Sequence, residues 1–354
     1  MIDFQEIKID GVALHLVGNK GREEGTRAAR ELLNFNGEND KFMLLDYFLS
    51  SLKLEEFYKL GHDTDLNMNE VFAYCSYIFE SPEELYTQSV NILQHLYDKS
   101  SHPNVKSGEL YVAFFRDVLV DDELVDAVGI FKSEKKDTFL KLQAEDGGDF
   151  HLQFEQGSNM NKLDKGCLIL NTYRDEGFRV LCVDLRGSEA QYWKDEFLML
   201  TQLQDDSFHT KHYMTMVKEF VQDVVAKDTD RKEQVKLINK VVDYFDKHEQ
   251  FDYNEFKETA FGGDEEKSKK FDTYKKTYKE TEGLFETAED DGFFIAPTAV
   301  KKMKKSFKNL IKLDTQIEIK LNTGSDEVTD EFVERGFDDE KQMFYYKVFF
   351  NQEM

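Results

Sequence analysis

The sequence predicts an α+β protein: an N-terminal antiparallel sheet with helices, then a mainly helical C-terminal domain that ends in a small β element. Three observations predict it. Between residues 109 and 185, four runs rich in β-branched and aromatic residues are joined by short polar breaks. Beyond residue 205 the apolar residues recur at helical spacing, and near the C-terminus alternation and an aromatic run return. At 354 residues the chain exceeds the usual size of one hydrophobic core, so two domains are expected, residues 1–204 and 205–354.

The elements follow in order. VALHLV (12–17) is apolar on both sides, as in a strand with both faces covered, and Gly18 to Gly25 break it. KFMLLDYFLSSLKLEEFYKL reads as helical, with Leu45, Phe48, Leu49 and Leu52 on one stripe; NEVFAYCSYIFE repeats the pattern with Val71, Phe72, Cys75 and Phe79. In SPEELYTQSVNILQHLY, Ser81, Pro82 and Glu84 read as N-cap, first helical residue and capping-box partner. GELYVAFFRDVLV and LVDAVGIFK around DDE form a hairpin, and GCLILN and FRVLCVDL around TYRDEG form another, with Gly177 supplying a positive φ. Helices resume in SEAQYWKDEFLML, in HYMTMVKEFVQDVV with the stripe Val217, Phe220, Val221 and Val224, and in QVKLINKVVDYFDKH with Val235, Ile238, Val242 and Phe245. QIEIKL alternates Ile317, Ile319 and Leu321 with polar residues, and QMFYYKVFF closes the chain as an aromatic strand.

Composition excludes several classes. With 40% hydrophobic and 14% aromatic residues the chain can bury real cores, so it is globular rather than disordered. No apolar run approaches the ~18 residues of a membrane span, and MIDFQEIKID lacks the basic-then-apolar order of a secretory signal. Cys75, Cys167 and Cys182 form no CxxC pair and read as buried thiols in a reducing compartment, so a cytoplasmic location is expected. The local signatures of P-loops, dinucleotide folds, zinc proteases, serine hydrolases and EF-hands are missing; no enzyme activity, cofactor or metal is expected, save for a site assembled from distant residues. His209 and His212 could share a helix face but have no ligand partner at a convincing spacing, and read as two solvated histidines. Asp121-Asp122-Glu123 and Glu289-Asp290-Asp291 read as a turn and a solvated loop. Trp193 and the aromatics of FDTYKKTYK could stack on bases, but their helical spacing assigns them to a core.

Charge is the informative signal. The chain carries a formal net charge of −25, yet KKMKKSFKNLIK (301–312) puts six lysines into twelve positions, and Lys267 to Lys312 hold twelve lysines against seven acidic residues. On a helix, Lys301, Lys304, Lys305, Lys308 and Lys312 fall within about 100° of one another, with Val300, Met303, Phe307, Leu310 and Ile311 in a separate apolar sector. Pro297 and Thr298 supply the start, Thr298 as N-cap. Such a face can be simply solvated, can neutralise nucleic-acid phosphates, or can dock on acidic surface such as DEVTDEFVERGFDDE.

At these residues a family resemblance enters. The order GVALHLV, GELYVAFF with LVDAVGIFK, YWKDEFLML with KEFVQDVV, and FFIAPTAVKKMKKSFKNLIK before QIEIKL resembles the bacterial nucleoid-associated proteins of the YejK type, over residues 5 to 350. The resemblance implies an N-terminal α+β domain, a helical C-terminal domain, association with the folded chromosome and no catalytic motif. The expected function is therefore non-specific, non-enzymatic DNA binding through Lys301, Lys304, Lys305, Lys308 and Lys312, assisted by Lys267 to Lys279, in the cytoplasmic nucleoid. The rival is an acidic protein-interaction module that other nucleoid or DNA-handling proteins recruit without DNA contact.

Overall fold

The computed structural model of the chain describes residues 2–350 and 352, apart from 53, 55, 145–149, 162, 184–190, 283–291, 308–309 and 321–332. Two compact units divide it, residues 1–203 and 204–354. The architecture is α+β, with an antiparallel sheet and helices in the first unit and mostly helices in the second.

The first unit contains strands β1 (Ile2–Asp3), β2 (Lys8–Val17), β3 (Thr26–Arg27), β4 (Phe57–Leu60), β5 (Gly108–Val120), β6 (Glu123–Ser133), β7 (Lys136–Ala144), β8 (Phe150–Ser158), β9 (Lys165–Leu170), β10 (Arg179–Cys182) and β11 (Leu200–Gln202). Its helices are α1 (Glu38–Leu49), α2 (Glu70–Glu80) and α3 (Leu85–Lys99). The main sheet runs β11-β4-β10-β9-β6-β5-β2-β3, with β1 also on β5, and every pairing is antiparallel. Side chains alternate between two buried layers. Leu110, Val112 and Phe114 of β5 join Cys75, Ile78, Ile92 and Leu96 of α2 and α3, whereas Ala113 and Phe115 join Tyr47 and Phe48 of α1. Both faces are thus covered, which is why the strands read as apolar on both sides.

Turn chemistry fixes the two expected hairpins. Val120 pairs with Glu123 across Asp121 and Asp122, whose φ values of 48° and 71° are what a two-residue hairpin turn requires. Between β9 and β10, Gly177 sits at φ +109°, and a Cβ there would lie 2.0 Å from the Leu60 carbonyl oxygen, so only glycine fits.

Four local features differ from the sequence reading. Phe57–Leu60 is a strand between β10 and β11 rather than the end of a helix, because its backbone completes the sheet; a run of four residues is too short to carry a period that tells the two apart. Ser81 precedes a 3₁₀ turn, Pro82–Glu84, that leads into α3, and its hydroxyl donates to Glu83 Oε1 (3.1 Å) in place of a capping box with Glu84. Tyr192–Leu198 is wound as a π-helix before β11, while 184–190 lie outside the described residues. The β7–β8 hairpin is absent from the sequence-based expectation, and it forms a separate two-stranded sheet.

The second unit holds α4 (Asp206–Phe220), continued by a π-helical turn Val221–Val225, then α5 (Arg231–Lys247), α6 (Tyr253–Phe261), α7 (Glu265–Glu282) and α8 (Pro297–Lys304). Three two-stranded pieces accompany them: β12 (Gln250–Asp252) with β13 (Gly292–Phe294), β14 (Leu310–Lys312) with β15 (Glu318–Lys320), and β16 (Val333–Asp338) with β17 (Met343–Val348). Asp205, Asp230 and Asp252 cap α4, α5 and α6 by accepting the amides of Phe208, Glu233 and Glu255 at 2.8–3.0 Å, each worth about 1 kcal/mol. The core is aromatic, with Phe251 stacked on Phe293 at 4.7 Å and Phe220 edge-on to Phe271 at 5.1 Å. Trp193 and Phe271 are fully buried and Tyr274 and Tyr278 pack on this core, so these aromatics are structural, as their spacing indicated. All three cysteines are buried and free, and burial pushes the Cys167 thiol up to about 12. Among the described residues no helix is long and apolar enough to cross a membrane.

Candidate nucleic-acid interface

Helix α8 starts where Pro297, with its φ preset and no amide to satisfy, follows the extended Ala296. Ala296, not Thr298, is the N-cap, and its amide donates to Thr210 Oγ1 at 3.0 Å. Val300, Met303 and the following Phe307 are buried in the aromatic core against α4 and α5, which leaves the lysines outside.

The expected five-lysine helix face does not form. Helix α8 ends at Lys304, Lys305 is its C-cap, and Lys312 lies on β14; Lys308 lies outside the described residues. The reason is tertiary. Phe307 belongs with Val300 and Met303, but Ile311 is buried in another cluster with Val235 and Val333. A continuous helix would put both on one stripe. Instead, Ile311 pairs with Ile319 across β14 and β15.

The lysines then divide by partner. Lys304 Nζ is 2.6 Å from Asp246 Oδ1, and Lys312 pairs across the strands with Glu318 at 2.7 Å. Lys301 and Lys305 are exposed and make no ion pair among the described residues. Lys301 and Lys304 stand on the rim of a cleft of about 770 Å³, with Asp246, His248, Glu249 and Phe294 also lining it. Cations in the last turn also suit the helix dipole, a structural cause for some of this lysine.

Helix α7 contributes less than expected. Lys267 pairs with Asp264 (3.1 Å), Lys269 with Glu265 (3.4 Å), and Lys270 with Asp228 and Glu266 (3.1 and 2.9 Å). Lys275 and Lys279 are buried, Lys275 with its ammonium 3.9 Å from the Tyr253 ring centroid. Only Lys276 of this series is exposed without an ion pair among the described residues.

Other candidate groups have structural roles. His209 is buried against Phe293 and His212 lies half-buried between Phe208 and Tyr278, so neither is the solvated side chain expected; helix α4 turns them into the core. Asp121 forms the hairpin turn and pairs with Arg179 at 2.9 Å, while Glu289 to Asp291 lie outside the described residues. No group of three or more His, Cys, Asp or Glu among the described residues could hold a metal. One pair absent from the sequence reading is buried His15 with Ser89. The Ala29 amide donates to His15 Nδ1 (3.1 Å), so Nε2 carries the proton and donates to Ser89 Oγ (2.9 Å), which donates onward to the Tyr86 carbonyl (2.7 Å). Burial holds the His15 pKa below its ordinary value, and its bonding leaves no lone pair to activate Ser89.

The molecule is therefore a two-unit α+β protein with a small basic outcrop on an acidic chain, of the nucleoid-associated class to which the comparison with known families points. The family model described as nucleoid-associated protein YejK matches residues 13–342, and the chain belongs to that family. No curated protein matches it.

Proposed function

We propose that this family member binds DNA non-specifically, without catalysis, through a few phosphate contacts centred on Lys301 and Lys305. The supporting observation is that these two lysines remain exposed and uncommitted at the end of α8, next to Lys304, Lys308 and Lys312 in sequence. Nothing in such a surface reads base edges, so contacts are to phosphates and sequence preference is weak. The net charge of −25 opposes long-range attraction, so binding is confined to low salt and to the nucleoid, where DNA is concentrated. Titrating arbitrary duplex DNA at rising salt tests this. The expected slope of log K against log salt is about −2 to −4, the value for a few phosphates.

A second reading, an acidic module recruited by DNA-handling proteins, is favoured by a different observation. A cleft of about 700 Å³ in the first unit is lined by Asp63, Asp175, Glu176 and Asp195, against Lys59 and His62. It would receive a basic protein segment. Absence of any DNA shift at low salt decides for it.

The same proposal takes residues 1–204 and 205–354 as separately folding domains. Leu203 is tied to Phe57 and Asp205 caps α4, so the backbone at Gln204 is the expected cleavage point within Gln204–Ser207. Mild proteolysis should yield two fragments that each unfold cooperatively; fragments that unfold on release would make the chain one folding unit.

A further inference from the structure

We propose that the β7–β8 hairpin is a self-association surface, packing face to face with the same hairpin of a second copy of this chain. Register places Leu140 opposite Phe154 and Leu142 opposite Leu152, with Phe150 on the same side, so five large apolar residues of the two strands share one face. Asp137, Lys141, His151 and Glu155 take the other face together with Phe139, and there Lys141 and Glu155 pair at 3.2 Å. The hairpin is thus amphipathic apart from Phe139, yet Leu140, Leu142, Phe150, Leu152 and Phe154 are between 52% and 70% exposed.

An isolated two-stranded ribbon is marginal in water, and a contiguous apolar patch on it is a surface awaiting a partner. Its base is secured: Ser133 and Ser158 hydroxyls bond at 2.9 Å, Lys136 bonds Ser158 at 2.8 Å, and Asn159 bonds Asp137 at 2.7 Å. Beyond this base both faces are exposed, and only one of them is mainly apolar.

Two arguments select a second copy as the occupant. The first is charge. Two chains of −25 repel, but the stretch of this face from Leu140 to Leu142 and from Phe150 to Phe154 holds no ionisable side chain, and Lys136 at its base is already paired with Glu109, so it is where identical copies approach at least electrostatic cost. An uncharged face is also complementary to itself, as a twofold interface demands, and offers no pairing to a basic partner. The second is area. The five side chains present about 500 Å² of apolar surface, so two copies remove about 1,000 Å² from water, the least that a specific interface needs. A monomer–dimer equilibrium, rather than a permanent dimer, is the expected form.

Sedimentation equilibrium of the full chain tests this. The mass should rise from 41.5 kDa towards twice that value across the micromolar range. Leu142→Glu with Phe154→Glu should hold it at monomer mass, while Gln153→Glu on the polar face should leave the dimer intact. Because the first variant could unfold the hairpin itself, amide exchange on the unaltered chain supplies an independent reading: β7 and β8 should exchange more slowly as concentration rises, and β5 should not change. Monomer mass throughout, or a dimer that survives the double substitution, overturns the proposal; monomer mass would assign the face to a different protein. Dimerisation without any DNA shift leaves it standing, so its outcome is separable from the DNA-binding proposal.

Discussion

Glu134→Ala should destabilise the first unit by about 3–5 kcal/mol, the cost of stranding a buried cation. Lys132 is completely buried, and its ammonium donates to the Lys106 carbonyl (2.7 Å), Glu134 Oε1 (2.9 Å) and the Tyr192 hydroxyl (3.2 Å). The Tyr192 hydroxyl also lies 3.2 Å from Glu134 Oε1, and Lys165 stands 4.0 Å from Oε2. Glu134, with the field of Asp164 behind it, therefore balances two cations that water hardly reaches. Burial already pulls the Lys132 pKa down against the pull of Glu134, so its charged form depends on that carboxylate. Removing it leaves Lys132 and Lys165 facing each other with only the weaker influence of Asp164 to offset them. Lys132→Met should cost less, because it removes the cation most in need of a partner and leaves Glu134 with Lys165 and Tyr192. Trp193, the only tryptophan, is fully buried in this unit and reports its unfolding by fluorescence. In urea the midpoint should fall for Glu134→Ala with the slope unchanged. A loss below about 1 kcal/mol, or a larger loss for Lys132→Met, would mean that the cluster is hydrated and the carboxylate dispensable.

Much of the fold is legible because burial is written into the residues of single elements. Helix α5 shows Val235, Ile238, Val242 and Phe245 at helical intervals, and all four are buried. Strands β5 and β6 are apolar on both sides because helices cover both faces of their sheet. What remained illegible depends on partners far along the chain. The lysine segment reads as one amphipathic helix because Phe307 and Ile311 have helical spacing, but Ile311 is claimed by Val235 and Val333, and no local pattern records that. Lys304 and Lys312 are exposed in any helical projection, yet Asp246 and Glu318 meet them in space. The β7–β8 hairpin did carry a signal, alternation of Leu140 and Leu142, then of Phe150, Leu152 and Phe154. The π-helical winding at Tyr192–Leu198 has no signature in composition, since π-helices use the same side chains as α-helices.

Reversing charge at Lys301 and Lys305 together should reduce DNA affinity at least about tenfold at low salt and flatten the salt slope by about two. Both side chains are exposed and no ion pair among the described residues is broken, so the folded core against which Val300, Met303 and Phe307 pack should survive. The stability loss should be small, about 0.5 kcal/mol per site from ordinary surface change, with up to about 1 kcal/mol more where Glu opposes the helix dipole at the end of α8. The comparison variant is Lys304→Glu with Lys312→Glu. Those lysines already face Asp246 and Glu318, so their phosphate-binding capacity is partly spent within the chain and DNA affinity should fall less. Stability should fall more, since each substitution puts two carboxylates together. Adding Lys308→Glu to the first pair should flatten the slope by about one further unit if that lysine joins the same phosphate track. The ordering of the two double variants is the decisive reading. Equal losses of affinity would point to the diffuse field of all lysines rather than to α8, and a folded Lys301→Glu, Lys305→Glu chain with unaltered DNA affinity would remove this surface from the mechanism and leave recruitment by a basic partner protein as the route to the nucleoid.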